Sequence, residues 1–489
     1  MTHTSTGQPT TSSSGIFITV LVFMGIVASA LQTLLVPVLD DLPRLLDTEP
    51  DDAAWTITAT LLSGAVATPI MGRLGDLHGK RRMLILSLAV MVAGALVSAF
   101  TSDLFVMIAG RALQGFAMSA IPLGISLMRD VLPDEKLSLA MAMMSSAMGV
   151  GSSLGLPIAA LVAQHADWHA LFYGCAGLGV LCIGLILLAV PESPARAQGT
   201  FDLLGAIGLS SGLVFLLLPI SKGSEWGWTS GTTLGLFAAA AVVLTLWGAL
   251  ELSIEAPLVN LRSTSRPAVL FTNLASIAVG ASFLVVSLVL PQLLQLPTET
   301  GYGLGQSMVT AALLMAPLGL TMVLAAPVYA RLSTKHSPKL TLISGIVIIA
   351  VGYIGGLGLM SAAWQSLVIT AVLGVGIGLA YSSLPALIVD AAPAAQTASA
   401  NGLNTLMRSL GSSVAGALVG MVLANTAQPV NDVTAPTMHG FRLSFLIAVS
   451  AMAIGLLMAL FLPRTRATED SKKGPPRLTV QAGRYVGRR

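Results

Sequence analysis

Arg111 and Arg408 each fall inside a stretch of sequence apolar enough to lie within a membrane. A guanidinium at such depth costs at least about 2.5 kcal/mol, so each must face a partner or a wet cavity. Gln114, three residues after Arg111, lies on the same face of a helix one turn away. Gln32, in the first apolar stretch, stands at the same depth as Arg111, about 10 Å from one surface at 1.5 Å per residue. Arg111, Gln32 and Gln114 are therefore candidates for one polar cluster that senses protons or binds a substrate, the alternative being a guanidinium tied to nearby helix carbonyls and amides. Asp40 and Asp41, at the end of the first stretch, are carboxylates that could reach Arg111 through an outer vestibule. For Arg408, a bond to neighbouring backbone and a contact with substrate are equally open. The third constellation is the turn Gly72-Arg-Leu-Gly-Asp-Leu-His-Gly-Lys-Arg-Arg-Met-Leu84. Gly72 and Gly79 let the chain turn tightly. Asp76 can cap a neighbouring helix or pair with a cation, and Lys80 and Arg81 stand beside it.

The elements that must position these residues are helices. Of 489 residues, 54% are hydrophobic and 10% charged, too few charges to cover a soluble domain. Apolar runs of about 20 residues, long enough to cross a roughly 30 Å hydrocarbon core, recur along almost the whole chain. Breaks at Gly, Pro and charged clusters separate fourteen of them. In the acidic first loop, Asp51 or Asp52 is expected to cap the second span. Lys and Arg collect on one side: the inner connections hold twelve and the stretch after Pro463 eight, against Arg44, Lys222 and Arg442 on the other side. Both termini are thereby predicted to be cytoplasmic in a multi-pass cell-membrane protein. The net charge of +3 conceals this asymmetry and gives no reason to expect a nucleic-acid partner. The basic tail is a topology anchor that could also attract anionic membrane lipid.

The chain also repeats itself. Arg73-Leu74 is echoed by Arg331-Leu332, Asp130 and Pro133 by Asp390 and Pro393, Gly151-Ser152-Ser153 by Gly411-Ser412-Ser413, and Pro37 and Pro43 by Pro291 and Pro297. The four pairs occur in order at a nearly constant offset, so the repeat unit is six helices in parallel orientation, with helices 7 and 8 inserted between the copies. Two such bundles can rock around a midplane cavity. The expected fold class is all-α: a polytopic membrane protein with 14 transmembrane helices, two six-helix bundles and two inserted central helices. The expected organisation is a disordered tail over 1–14, a bundle over 15–190, a linker with two helices over 191–267, a second bundle over 268–463 and a basic tail over 464–489.

Gly72, Leu74, Asp76, Gly79, Lys80 and Arg81 fall at the spacing of the loop signature between helices 2 and 3 of the major facilitator superfamily. Arg111-Ala-Leu-Gln-Gly115 resembles that family's Arg-x-x-Gln-Gly motif. On helix 5, Gly151, Gly155 and Pro157 are similar to the Gly/Pro motif of its exporter branches, although Pro157 is one place late. Fourteen helices, Phe201-Asp202, Trp226-Gly-Trp228 and Trp55 with Thr58 resemble the fourteen-helix drug:proton antiporters. The resemblance implies alternating access, with Asp76 holding the inner gate shut. It also implies multidrug efflux of amphipathic small molecules such as antibiotics, dyes or secondary metabolites, coupled to protons. In this chain Leu31-Gln-Thr-Leu34 stands where those relatives usually carry Leu-Asp-x-Thr, and Gln32 cannot titrate. Thr334 replaces Asp76 in the second copy. The small residues of helix 5 form a packing face by default.

Other chemistries lack support in the sequence. The six His have no metal-ligand spacing. Cys175 and Cys182, about 10 Å apart along one helix, cannot bridge each other. With no His/Asp, Ser/Lys or metal constellation at membrane depth, neither an enzyme nor a cofactor is expected, and the chain is expected to act as a monomer. The alternatives to an exporter are a uniporter or uptake carrier on the same fold and a non-transporting receptor or scaffold. An intact gate loop argues against the last.

Overall fold

The computed structural model describes residues 11–35, 38, 41–430 and 433–463. Most of the N-terminal tail, the basic C-terminal tail and Asp40 lie outside them. Fourteen described helices are long and apolar enough to span a membrane: α1 Ser14–Thr33, α2 Pro50–His78, α3 Lys80–Ala99, α4 Leu104–Val131, α5 Asp134–His165, α6 Ala170–Ala189, α7 Leu203–Trp226, α8 Gly231–Ser253, α9 Pro267–Gln295, α10 Met308–Lys335, α11 Pro338–Gly356, α12 Ala363–Ala391, α13 Ala394–Asn425 and α14 Met438–Leu460. Helical structure already begins at Thr11, inside the stretch expected to be tail.

The helix ends have local causes. Gly79, at φ 113°, ends α2 in a conformation only glycine adopts freely, and the chain reverses into α3. Asp103 caps α4 by accepting from the Val106 amide at 3.0 Å, and Asp202 caps α7 by accepting from Gly205 at 2.8 Å, contacts of about 1 kcal/mol each. Asp51 and Asp52, expected to cap the second span, instead occupy the short helical turn Pro50–Ala53 that leads into it. The proline at residue 50 fixes that turn's start, so the acids lie past the capping position. A two-stranded ribbon, Ala427–Val430 against Val433–Pro436, joins α13 to α14.

Helices α1–α6 and α9–α14 form the two six-helix bundles, each with its own apolar core. The first core also takes in Tyr329, Ala386 and Ala398 of the second half, so the seam between halves is packed at the end that carries Asp76 and Lys80. Inserted helix α7 lays Leu209, Leu213 and Leu217 against Ala65 of α2 and Leu403 and Leu406 of α13, spanning that seam from outside. Lys222 on α7 is buried at the opposite end, where it donates to the Asp51 carbonyl at 2.7 Å and sits 5.1 Å from the Trp55 ring centre.

Candidate functional site

Asp76, on the last turn of α2, is fully buried and crosses the seam. Its two carboxylate oxygens accept from the backbone amides of Ala398 (3.1 Å) and Ser399 (2.8 Å), in the first turn of the main segment of α13, Thr397–Asn425. Those amides lack intrahelical partners and carry the positive end of the helix dipole, so an anion there is doubly favoured. Close approach is possible because Gly72 has no side chain: a Cβ there would stand 2.6 Å from the Ala398 carbonyl oxygen. Lys80 is also fully buried. It bonds Asp130 on α4 at 2.5 Å and Thr397 at 2.8 Å, and stands 3.8 Å from Asp76. Removing either partner of such a buried pair typically costs about 3–5 kcal/mol.

The linker after α6 completes this seal. Glu192 accepts from the Arg81 amide at 2.9 Å, Ser193 bonds Asp130, and the Ala197 amide donates to the Asp76 carbonyl at 2.7 Å. Arg81 itself reaches the Leu187 carbonyl at 2.7 Å. In the second half Thr334, the counterpart of Asp76, is exposed and among the described residues bonds only carbonyls of its own helix, at Ala330 and Arg331.

Arg111, on α4, is 1% exposed. Its Nη1 donates to Gln114 Oε1 at 2.7 Å and its Nε to the Thr56 carbonyl of α2 at 3.3 Å, while Thr60 donates back to the Arg111 carbonyl at 3.0 Å. Gln114 in turn donates to Ser98 and to the Gly94 carbonyl of α3. The cluster therefore ties α2, α3 and α4 together within the first half. Gln32 takes no part in these bonds. It lines the central cavity instead, with Leu61 and Met118, so the expected meeting of Gln32 with Arg111 does not occur. Asp41 does not reach Arg111 either. It pairs at the surface with Arg44, at 3.3 Å.

A cavity of 180 Å³ lies between the halves. The first half supplies Gln32, Leu61, Met118, Ile121 and Met148, a soft apolar wall with one amide. From the second half come Phe283, Tyr381, Thr405, Arg408 and the hydroxyls of Ser409, Ser412 and Ser413. Arg408 is 4% exposed; its Nη2 donates to Thr405 Oγ1 at 3.1 Å and its guanidinium carbon lies 4.7 Å from the Tyr381 ring centre. It forms no ion pair among the described residues, and its Nε has no hydrogen-bond partner among them. Helix α13 can carry it there because Gly280 of α9 packs against the Arg408 backbone and Ser412 donates to the Gly280 carbonyl at 2.9 Å. One turn away, Asn404 donates to Asn273 and Ser276 of α9.

The family model of the Major Facilitator Superfamily matches residues 21–416 and, in a second match, 272–486. The chain belongs to the major facilitator superfamily. Among its relatives is the tetracenomycin C resistance and export protein of Streptomyces glaucescens, 28% identical over 390 residues, covering 76% of this chain and 69% of that one. Multidrug resistance protein 3 of Bacillus subtilis (strain 168) is 23% identical over 387 residues, covering 78% and 74%. The crystal structure of the human organic anion transporter TETRAN shares the fold, with a TM-score of 0.62 at 15% identity over 93% of this chain and 100% of that one.

In this major facilitator protein the small residues of α5 divide between two neighbours. Gly151 and Gly155 lie against Ile26, Ala30 and Thr33 of α1, within the first half. Gly149 instead meets Met322 of α10, across the seam, where Ser146 also donates to the Met322 carbonyl at 2.9 Å. Pro157 sits inside a continuous α5. Glu192, Ser193 and Asp130 join the cluster around Asp76 and Lys80, a part that sequence reasoning left unassigned. Asp130 had a signal, its recurrence as Asp390 in the second copy, but the linker residues had none.

Proposed function

We propose that this chain is a secondary active exporter of amphipathic small molecules, antibiotics, drugs, dyes or secondary metabolites among them, working by alternating access in a bacterial cell membrane. The carrying observation is a polar-edged cavity at the seam of two bundles, closed on the Lys/Arg-rich side by Asp76 on the start of α13. By the positive-inside rule we take that side as cytoplasmic, so the cavity is sealed from the cytoplasm in this arrangement. Breaking the Asp76 contacts frees the two halves to part at the cytoplasmic end, and a substrate enters there. The names of the relatives support export as the direction. A monomer, with lipid around it, suffices for this cycle, since both bundles lie in one chain.

Proton antiport is the coupling expected from the resemblance, and Asp76 and Asp130 are carboxylates through which a proton could act on the gate. A carrier without proton coupling is the second reading. One observation favours it: no carboxylate lines the cavity among the described residues. Dye transport in inverted membrane vesicles separates the readings. Gradient-dependent accumulation that vanishes when the proton gradient is collapsed supports antiport, whereas simple equilibration supports facilitation. No protein-dependent dye movement at all contradicts the transporter reading.

A further inference from the structure

We infer that the central cavity holds its passenger by an acidic group, a carboxylate, phenolate or sulfonate on a planar apolar frame, and that Arg408 receives that group. This rests on the exporter reading and names the substrate class of the same cavity. Arg408 carries the sole formal charge among the described residues that line it. A guanidinium offers five N–H donors and stays protonated. Among the described residues it has one hydrogen bond, from Nη2 to Thr405, and a face laid on Tyr381, with Nε buried and unpartnered.

The surroundings select against a cation and for an acid. An entering cation would meet like charge and no counter-charge in a poorly screened site. An organic acid meets a planar fork that accepts carboxylate-type groups in two parallel bonds. Beside the fork, the centres of the Phe283 and Tyr381 rings lie 5.9 Å apart. The opposite wall, with Met118 and Met148, is apolar and adaptable, suited to frames of differing shape. A structural arginine in the same fold looks different: Arg111 is tied to Thr56 and Gln114 and lies away from the cavity.

The charge of such a passenger also supplies a driving force. An anion carried outward across an inside-negative membrane moves down the electrical gradient, worth about a 50-fold concentration ratio per 100 mV for one charge. The cavity then needs no titrating side chain of its own, and an amide at Gln32 is no handicap.

The test uses the full chain in proteoliposomes loaded with either carboxyfluorescein, an aromatic anion, or ethidium, an aromatic cation, under a potassium diffusion potential set with valinomycin. Carboxyfluorescein efflux should exceed that from protein-free liposomes at least about tenfold with the lumen negative, and should slow when the potential is reversed. Arg408→Gln should lower it about tenfold or more, and Arg408→Lys should restore part of it. Ethidium efflux with no carboxyfluorescein efflux overturns the anion site and leaves the exporter reading standing. Full carboxyfluorescein efflux in Arg408→Gln overturns it as well. If neither dye moves, the exporter reading itself is contradicted. Should Arg408→Gln fail to assemble, the wild-type protein decides alone: carboxyfluorescein efflux indifferent to potential, or slowed by a negative lumen, refutes the proposal.

Discussion

Arg111 and Arg408, buried at 1% and 4% exposure in opposite halves of the chain, are held in opposite ways. Arg111, in the first half, is enclosed by Thr56, Thr60 and Gln114 and joins three helices. Arg408, in the second, leans on Tyr381 and Thr405, borders the cavity and keeps a donor unused. The cost of burial is similar, so burial alone does not distinguish the two; their hydrogen bonds and their place relative to the cavity do. The gate divides in the same manner. Asp76 of the first half bridges the seam, while Thr334 of the second, among the described residues, bonds only its own helix. On the proposed reading the first half holds the strut and the latch, and the second brings the group that receives the passenger.

The largest expected effect comes from breaking the strut. Arg111→Ala should destabilise the protein by about 2–4 kcal/mol, through lost bonds and a void, read as a melting temperature several degrees lower. A variant with unchanged melting that transports nothing would place Arg111 with Arg408 instead. Next comes the latch. Asp76→Asn removes the charge facing the start of α13 and should slow turnover about tenfold, roughly 1.4 kcal/mol, with substrate affinity near wild type. Wild-type turnover would remove Asp76 from the gate. Gln32→Asp puts a carboxylate across the cavity from Arg408. Anion transport should then fall a few-fold as pH rises and the new carboxylate, ordinarily near about 4, ionises; a pH profile identical to wild type counts against Gln32 facing the passenger. Thr334→Val should shift stability by less than about 0.5 kcal/mol and leave turnover unchanged, and a slowed carrier would mean that the second half has a latch too.

The helices were legible because their signal is local. Hydropathy sets the spans, and the charge asymmetry of their connections predicts which end is basic. The pairing of Arg111 with Gln114 was legible for the same reason, since three residues along a helix fix their neighbourhood. Depth misled for Gln32, because it supplies one coordinate of position and the rotation of each helix supplies another. The second span's reach to His78, past the expected break at Gly72, places Asp76 on a helix rather than in a turn. The part of Glu192 and Ser193 in the gate depends on a linker folding back under α3 and α4, a contact between residues far apart in sequence with no periodic trace.

The claim that Arg408 is kept for its ligand, rather than for the fold, is tested most directly by thermal unfolding of wild type and Arg408→Met with and without carboxyfluorescein. The account predicts that Arg408→Met alone melts at or above the wild-type temperature, because an incompletely bonded buried cation has been replaced by an apolar chain. It further predicts that the ligand's stabilisation, about 2.7 kcal/mol at a hundred times the Kd in wild type, disappears in the variant. An Arg408→Met protein that melts several degrees lower yet keeps the full ligand shift would contradict it.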